Sequence, residues 1–264
     1  MTGVHATPVR VGAVLVAGLL FLTPGRPAGQ APGALPETES FLAAVRQNLV
    51  RSQQQESGLA YKERRTELHM NPFGRIGTGG ARVYEVIPGA DGMTLTRRLI
   101  ERDGRPVAAS DDERRERPIR RNRTQTSRGA QDVLSTLTFA LDRREVIDGR
   151  PVIVVTFAPR PGAKPTTRQG RMARVFSGEA WVDEASREVE RVEAVAVDNL
   201  SMGFGVVARL NTGTRVSVTR RQVAGGLWLP ASIRFAGEGR ALLFRKLNVN
   251  YEIEWFDYRE VAAR

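Results

Sequence analysis

The chain has 264 residues, 41% apolar and 26% charged, with 26 Gly, 14 Pro and no Cys. That balance is too apolar for a disordered chain and too polar for a polytopic membrane protein, and the length suffices for one large domain or two small ones. Zero Cys excludes disulfides, Cys-ligated zinc, a thiol nucleophile and a Cys-linked lipid anchor, and two His (His5 and His69) exclude a multi-His metal site once His5 is lost with a leader. The net charge is +11, and of the 40 basic residues only Lys62, Lys164 and Lys246 are Lys. Arg suits bidentate contact with phosphate or carboxylate, and Arg-rich codon usage accounts for the same bias.

The chain opens with Arg10, an apolar run over 11–23, and then Pro24, Gly25 and Pro27. A helix over that run reaches about 20 Å, short of the roughly 30 Å hydrocarbon core. The layout is that of a secretory signal, with Gly29 and Ala31 as the small residues of the cleavage zone. Residues 1–31 are therefore expected to be removed, and the remainder to be exported to the periplasm as a soluble chain without a lipid anchor. An uncleaved anchor helix is the alternative.

Residues 36–53 predict one amphipathic helix, with Phe41, Leu42, Val45 and Leu49 on one face, Glu37 and Glu39 near the start and Gly58 past the end. Strand signals follow. The stretch 93–100 runs into the turn Asp103-Gly104, and Val146 leads through Ile147-Asp148-Gly149-Arg150 into 151–157. Trp181–Asp183 and 189–197 flank Glu184–Arg187, and Val206, Ala208 and Leu210 alternate up to a fourth turn at Asn211-Thr212-Gly213. Leu227, Leu229, Ala231, Ile233 and Phe235 share one face of a strand, and Leu247, Val249, Tyr251, Ile253 and Trp255 share one face of the last. Sequential hairpins predict an antiparallel meander, and the absence of a βαβ pattern argues against a parallel nucleotide-binding sheet. The apolar face needs a cover, for which the first helix and a short helix near 130–137 are the candidates. A single domain over 36–260 is expected, with long basic loops at about 105–129 and 159–175.

The chemical motifs are weak. Gly203-Phe204-Gly205-Val206-Val207-Ala208 has the letters of a dinucleotide fingerprint, but a strand pattern follows where a helix is required. No G-x-S-x-G elbow occurs, and no spacing ties His69 to a Ser or Asp. No catalytic residue, metal site or cofactor is assigned. The stretch 114–128 is strongly basic; export and the lack of interleaved aromatics argue against nucleic acid. Arg120, Arg121 and Arg123 are candidates for contact with an anionic headgroup, an anionic membrane surface or a protein partner, or they are a solvated loop. The three Trp are either core or the lining of a curved sheet that takes an apolar guest. Trp181, Leu229, Ile233, Phe235, Val249, Tyr251 and Trp255 are the candidates for that lining.

The sequence Gly178-Glu179-Ala180-Trp181-Val182-Asp183, then Val189–Glu193, Gly226-Leu227-Trp228-Leu229-Pro230 and a closing Tyr258-Arg259, resembles the LolA/LolB/RseB-like superfamily of periplasmic proteins over roughly 36–260. The resemblance implies an α+β, mainly antiparallel fold: a curved, unclosed β-barrel covered by helices around a hydrophobic cavity. It also implies a non-catalytic binding or carrier protein for a lipid, an acyl chain or a lipoprotein. The alternative is an envelope interaction module with the same fold, a filled core and an Arg-rich docking loop.

Overall fold

In the computed structural model the described residues are 33–70, 76–89, 94–108, 119–120, 123–202, 208–241 and 245–261. The chain divides into two units, Met1–Ala34 and Leu35–Arg264, and every element below belongs to the second. The expected signal segment, 1–31, lies outside the described residues.

The elements are α1 (Thr38–Glu56), β1 (Leu59–Met70), β2 (Ile76–Pro88), β3 (Thr94–Arg102), β4 (Arg105–Pro106), β5 (Ile119–Arg120), α2 (Arg123–Thr136), β6 (Leu137–Ile147), β7 (Arg150–Pro159), α3 (Arg168–Ala173), β8 (Phe176–Asp183), β9 (Val189–Ala196), β10 (Leu200–Met202), β11 (Ala208–Leu210), β12 (Arg215–Gln222), β13 (Trp228–Ala241) and β14 (Arg245–Glu260). The main path of the sheet is β4-β3-β2-β1-β14-β13-β12-β9-β8-β7-β6, and every pairing along it is antiparallel. The two ends, β4 and β6, do not meet, so the sheet is a curved, unclosed barrel. Register shifts interrupt the β1–β2, β1–β14, β2–β3, β6–β7, β8–β9 and β12–β13 ladders. Such bulges bend strands and increase their twist.

The expected hairpins form at three of the four turns. Asp103-Gly104 and Asp148-Gly149 have positive φ at both central residues, the geometry a two-residue hairpin requires. The turn at Asn211-Thr212-Gly213 behaves differently. Leu210 pairs with Gly239 and Arg215 with Ala236, so β11 and β12 follow one another along the same edge of β13. The turn interrupts one strand instead of reversing it. Its residues are held to the neighbouring β9: Gly213 N–H donates to the Ala196 carbonyl and Ala196 N–H donates to the Thr214 carbonyl. The expected basic loops also carry structure: β4, β5 and the start of α2 fall within 105–129, and α3 within 159–175. Asp132 on α2 accepts from the Thr166 and Thr167 amides and the Thr167 hydroxyl, which ties the second loop down.

Helix α1 begins where Glu37 accepts the amides of Glu39 and Ser40, an N-cap that also suits the helix dipole. Phe41 and Val45 pack against Ile153 and Val155 of β7, Val182 of β8 and Val189 of β9. The face expected to continue through Leu49 turns instead through Ser52: Leu49 is exposed and Ser52 is buried, donating to Glu188. Asn48 donates to the Ser186 carbonyl, and the Arg187 guanidinium lies over the Phe41 ring. The β8–β9 turn is thus gripped by the helix. Within it, Asp183 accepts from the Ser186 amide and hydroxyl and from Arg150.

Gly178 marks the sharpest local constraint. An alanine Cβ there would stand 1.9 Å from the Glu193 carbonyl oxygen and 2.8 Å from Ala194 Cα. Gly178→Ala is expected to cost about 1–3 kcal/mol, which lowers Tm by about 2–4 °C per kcal/mol. Gly58→Ala, whose nearest neighbour would be 3.8 Å away, should leave Tm in place; equal Tm values for the two variants would remove the close-approach argument.

Burial alone would raise the Asp183 carboxyl, but the Ser186 donors and the Arg150 charge outweigh it and hold it below the ordinary carboxylate value. Hydrogen bonds from Arg144 likewise hold Glu184 low. Groups that titrate lower folded than unfolded contribute fully above the unfolded value of about 4. That contribution drains as pH falls through the lower folded values. Urea midpoints measured on either side of about pH 4 should therefore drop on the acid side, and Asp183→Asn should flatten that part of the profile.

Candidate ligand-binding face

Residues directly opposite one another on antiparallel strands share a face. Ala180 pairs with Val192, Val192 with Val218, Val218 with Ile233 and Ile233 with Ile253. This row crosses β8, β9, β12, β13 and β14 on the face that α1 packs against. Its neighbour runs through Gly178, Ala194, Val216, Phe235 and Tyr251, with the Phe235 and Tyr251 rings stacked at 5.4 Å. Phe235 closes against Val175, Phe176 and Ala196, whereas Val192, Val216, Val218, Ile233, Tyr251 and Ile253 are only half-buried. Helix α1 packs Phe41 and Val45 over β7, β8 and β9 and also approaches β13, while Val218, Ile233 and Ile253 of β12, β13 and β14 stay only half-buried.

The row ends in charge. Ile253 pairs with Arg65 of β1, and Trp255 pairs with Glu63. Glu63 is 7% exposed and accepts from Arg65 Nε at 2.5 Å, Arg97 Nη2 at 2.6 Å and Trp255 Nε1 at 3.3 Å. The Arg97 guanidinium stacks 3.6 Å from the centre of the Tyr84 ring, and its Nε is buried without a hydrogen-bond partner. Burial raises the Tyr251 phenol while the charge of Arg65 pulls it the other way, consistent with both side chains facing the same space. Beyond this rim, Tyr61, Val86 and Leu95 pack with Trp255 and Tyr258, and the Tyr258 hydroxyl donates to the Pro230 carbonyl.

The sequence-predicted lining residues divide. Ile233, Phe235, Tyr251 and Trp255 come together on the α1 side. Leu229 is fully buried. The backbone of Val249 pairs with Gly237 on β13, and its side chain lies outside the described residues. Trp181 is on the opposite face from Val182. It packs with Val152 and Val154, donates to Glu145, and carries the Arg191 guanidinium 3.8 Å over its ring. Trp181 is therefore buried on the opposite face of the sheet from Ala180 and Val182, because successive side chains of β8 alternate. Beside it on that outer face is a depression of about 460 Å³ bordered by Glu179, Trp181, Glu193, Arg215 and Arg234.

Arg120 pairs through its backbone with Thr94, and Arg123 opens α2; their side chains, the whole of Arg121 and the side chain of His69 lie outside the described residues. Among the described residues no three His, Asp or Glu side chains converge as a metal site would require, and no helix is long and apolar enough to cross a membrane. The charged rim was missed in the sequence because β1, Leu-Ala-Tyr-Lys-Glu-Arg-Arg-Thr-Glu, carries charge on both faces. The alternation of Tyr61, Glu63, Arg65 and Glu67 is its only signal, and nothing local says that this face is the inner one.

No family model matches the chain, and no characterised protein matches it by sequence. Among solved structures, it is similar to a putative outer membrane lipoprotein-sorting protein domain from Vibrio parahaemolyticus, at 14% identity, with 86% of this chain and 95% of that one covered and a TM-score of 0.43. It is similar to a DUF1329 family protein from Desulfovibrio piger at 15% identity, covering 85% and 94%, with a TM-score of 0.38. A LolA superfamily protein from Nitrosomonas europaea aligns at 13% identity over 81% and 93%, with a TM-score of 0.34.

Glu63 joins two guanidinium groups and an indole, and its removal leaves charge without a partner in a half-buried setting. Glu63→Gln is expected to destabilise by about 1–3 kcal/mol. Glu254→Gln, which breaks the exposed pair with Arg64, should change stability by no more than about 1 kcal/mol. Chemical denaturation of both variants checks the contrast; equal losses would show that the rim is an ordinary surface pair.

Proposed function

We propose that the α1-side face of the sheet holds an acyl chain of a lipid or lipoprotein, and that the protein is an exported, periplasmic binding or carrier protein that catalyses no reaction. The observation that carries this reading is the unbroken row Val192, Val218, Ile233 and Ile253, which starts beside the Phe41 and Val45 cluster of α1 and stays only half-buried across four strands. Each methylene placed against such a surface contributes about 0.8 kcal/mol. The apolar leader over 11–23 and the motif resemblance support export and carriage.

A second reading, a non-catalytic interaction module, is favoured by the outer depression. Its lining sets Trp181, Arg215 and Arg234 around a mostly apolar floor that includes Val195, Val216 and Ala236, and aromatic and Arg side chains are enriched where proteins contact one another.

The two readings separate by experiment. Native mass spectrometry of protein isolated from its own cell envelope should find bound lipid under the first. Displacement of a fluorescent fatty acid by saturated acids of decreasing length should weaken by about tenfold for every two methylenes removed. Ile233→Ser should weaken probe binding by about tenfold while Arg234→Ser, on the outer face, does not. Lipid-free protein that ignores the probe at every length would leave the interaction module as the reading.

A further inference from the structure

Resting on the acyl-chain reading above, we infer that the guest is an anionic amphiphile, whose chain lies along the aliphatic row of β9, β12, β13 and β14 and whose carboxylate or phosphate meets the guanidinium groups of Arg65 and Arg97. The register fixes the juxtaposition: Ile253, the last aliphatic residue of the row, sits directly opposite Arg65. Four inter-strand steps separate Val192 from Arg65, about 19 Å at the usual spacing. A long acyl chain spans that distance extended, so its polar end arrives at the guanidinium groups.

The local charge balance selects the sign of the headgroup. Arg65 and Arg97 share the single carboxylate of Glu63, to which Arg65 gives Nε and Arg97 gives Nη2. Glu67, the next acid on this face, is paired with Arg82. Among the described residues the Nη groups of Arg65 and the Nη1 and Nε groups of Arg97 make no hydrogen bond. Donors therefore exceed acceptors, with one positive charge in excess. Glu63 already accepts three hydrogen bonds and has little left for a cationic headgroup. An oxyanion matches what remains, since guanidinium binds carboxylate and phosphate through paired, charge-assisted hydrogen bonds. Stacking on Tyr84 and the Trp255–Glu63 bond hold the Arg97 side of the rim in place.

The test uses matched ligands on the full-length protein, read by displacement of a fluorescent fatty acid at low salt. Hexadecanoate and hexadecyl phosphate should each bind at least about tenfold more tightly than hexadecanol. Arg65→Gln, at a half-exposed position, should reduce that preference to under about threefold and leave hexadecanol affinity unchanged. Arg97→Gln should act the same way, and Arg97→Lys should retain only part of the preference because it cannot form the paired contact. Arg98→Gln, at the outer-face pair with Glu85, should retain all of it. Equal binding of acid and alcohol to the wild-type protein would overturn the headgroup assignment while leaving acyl binding intact. Failure of every ligand would overturn both. Competition by inorganic phosphate as strong as that by hexadecyl phosphate would also overturn it, by showing a small-anion site with no chain attached.

Discussion

The pairing of β1 with β14 is the constraint from which the candidate site follows. These strands come from opposite ends of the folded unit, and their ladder runs from Leu59↔Glu260 to Leu68↔Asn250. It joins the charged β1–β2–β3 segment to the apolar β13–β14 segment as one continuous surface. A slip by one residue would turn Glu63, Arg65 and Glu67 to the other face and end the aliphatic row on solvent-facing charge of the wrong register. The Trp255–Glu63 hydrogen bond and the Lys62–Asp257 pair lie on this seam, next to the bulge that accommodates Asp257 at positive φ.

The other end of the unit is held by different means. There α1 presses Phe41 and Val45 into β7, β8 and β9, and the β8–β9 turn is locked by Asp183, Ser186 and Asn48. The G-x-x-W-V-D motif is thereby explained by structure. Gly178 permits close approach to β9, Trp181 anchors the outer surface through Glu145 and Arg191, and Asp183 organises the turn. The result is a sheet packed by a helix at one end and half-buried over β12–β14, with guanidinium groups standing between that aliphatic row and the second apolar cluster of Tyr61, Val86 and Leu95.

Much of this was legible in the residues. The helix at 38–56, the hairpins at Asp103-Gly104 and Asp148-Gly149, and the apolar faces of β13 and β14 follow from period and turn chemistry, which are local. The misreadings share one cause. At Asn211–Gly213 the turn residues are correct, but whether a turn reverses a strand or interrupts it depends on what β13 offers beside it. Trp181 looks apolar and available, yet alternation assigns it a face only once its neighbour Val182 is known to meet Phe41. Leu49 has the right spacing for the helix face, and Ser52 takes the buried position because Glu188 waits opposite it.

The sequence alone determined the class of the protein: a Cys-free, basic chain with an N-terminal amphipathic helix over 38–56 and antiparallel strands with one oily face each. These properties depend on composition and on intervals of two to four residues, which act through neighbours in the chain. Only the tertiary structure decided what interrupts the oily face and where. Glu63, Arg65, Arg97 and Ile253 are separated by up to the length of the folded unit, and it is strand register, set by long-range pairing and burial, that brings them to one edge.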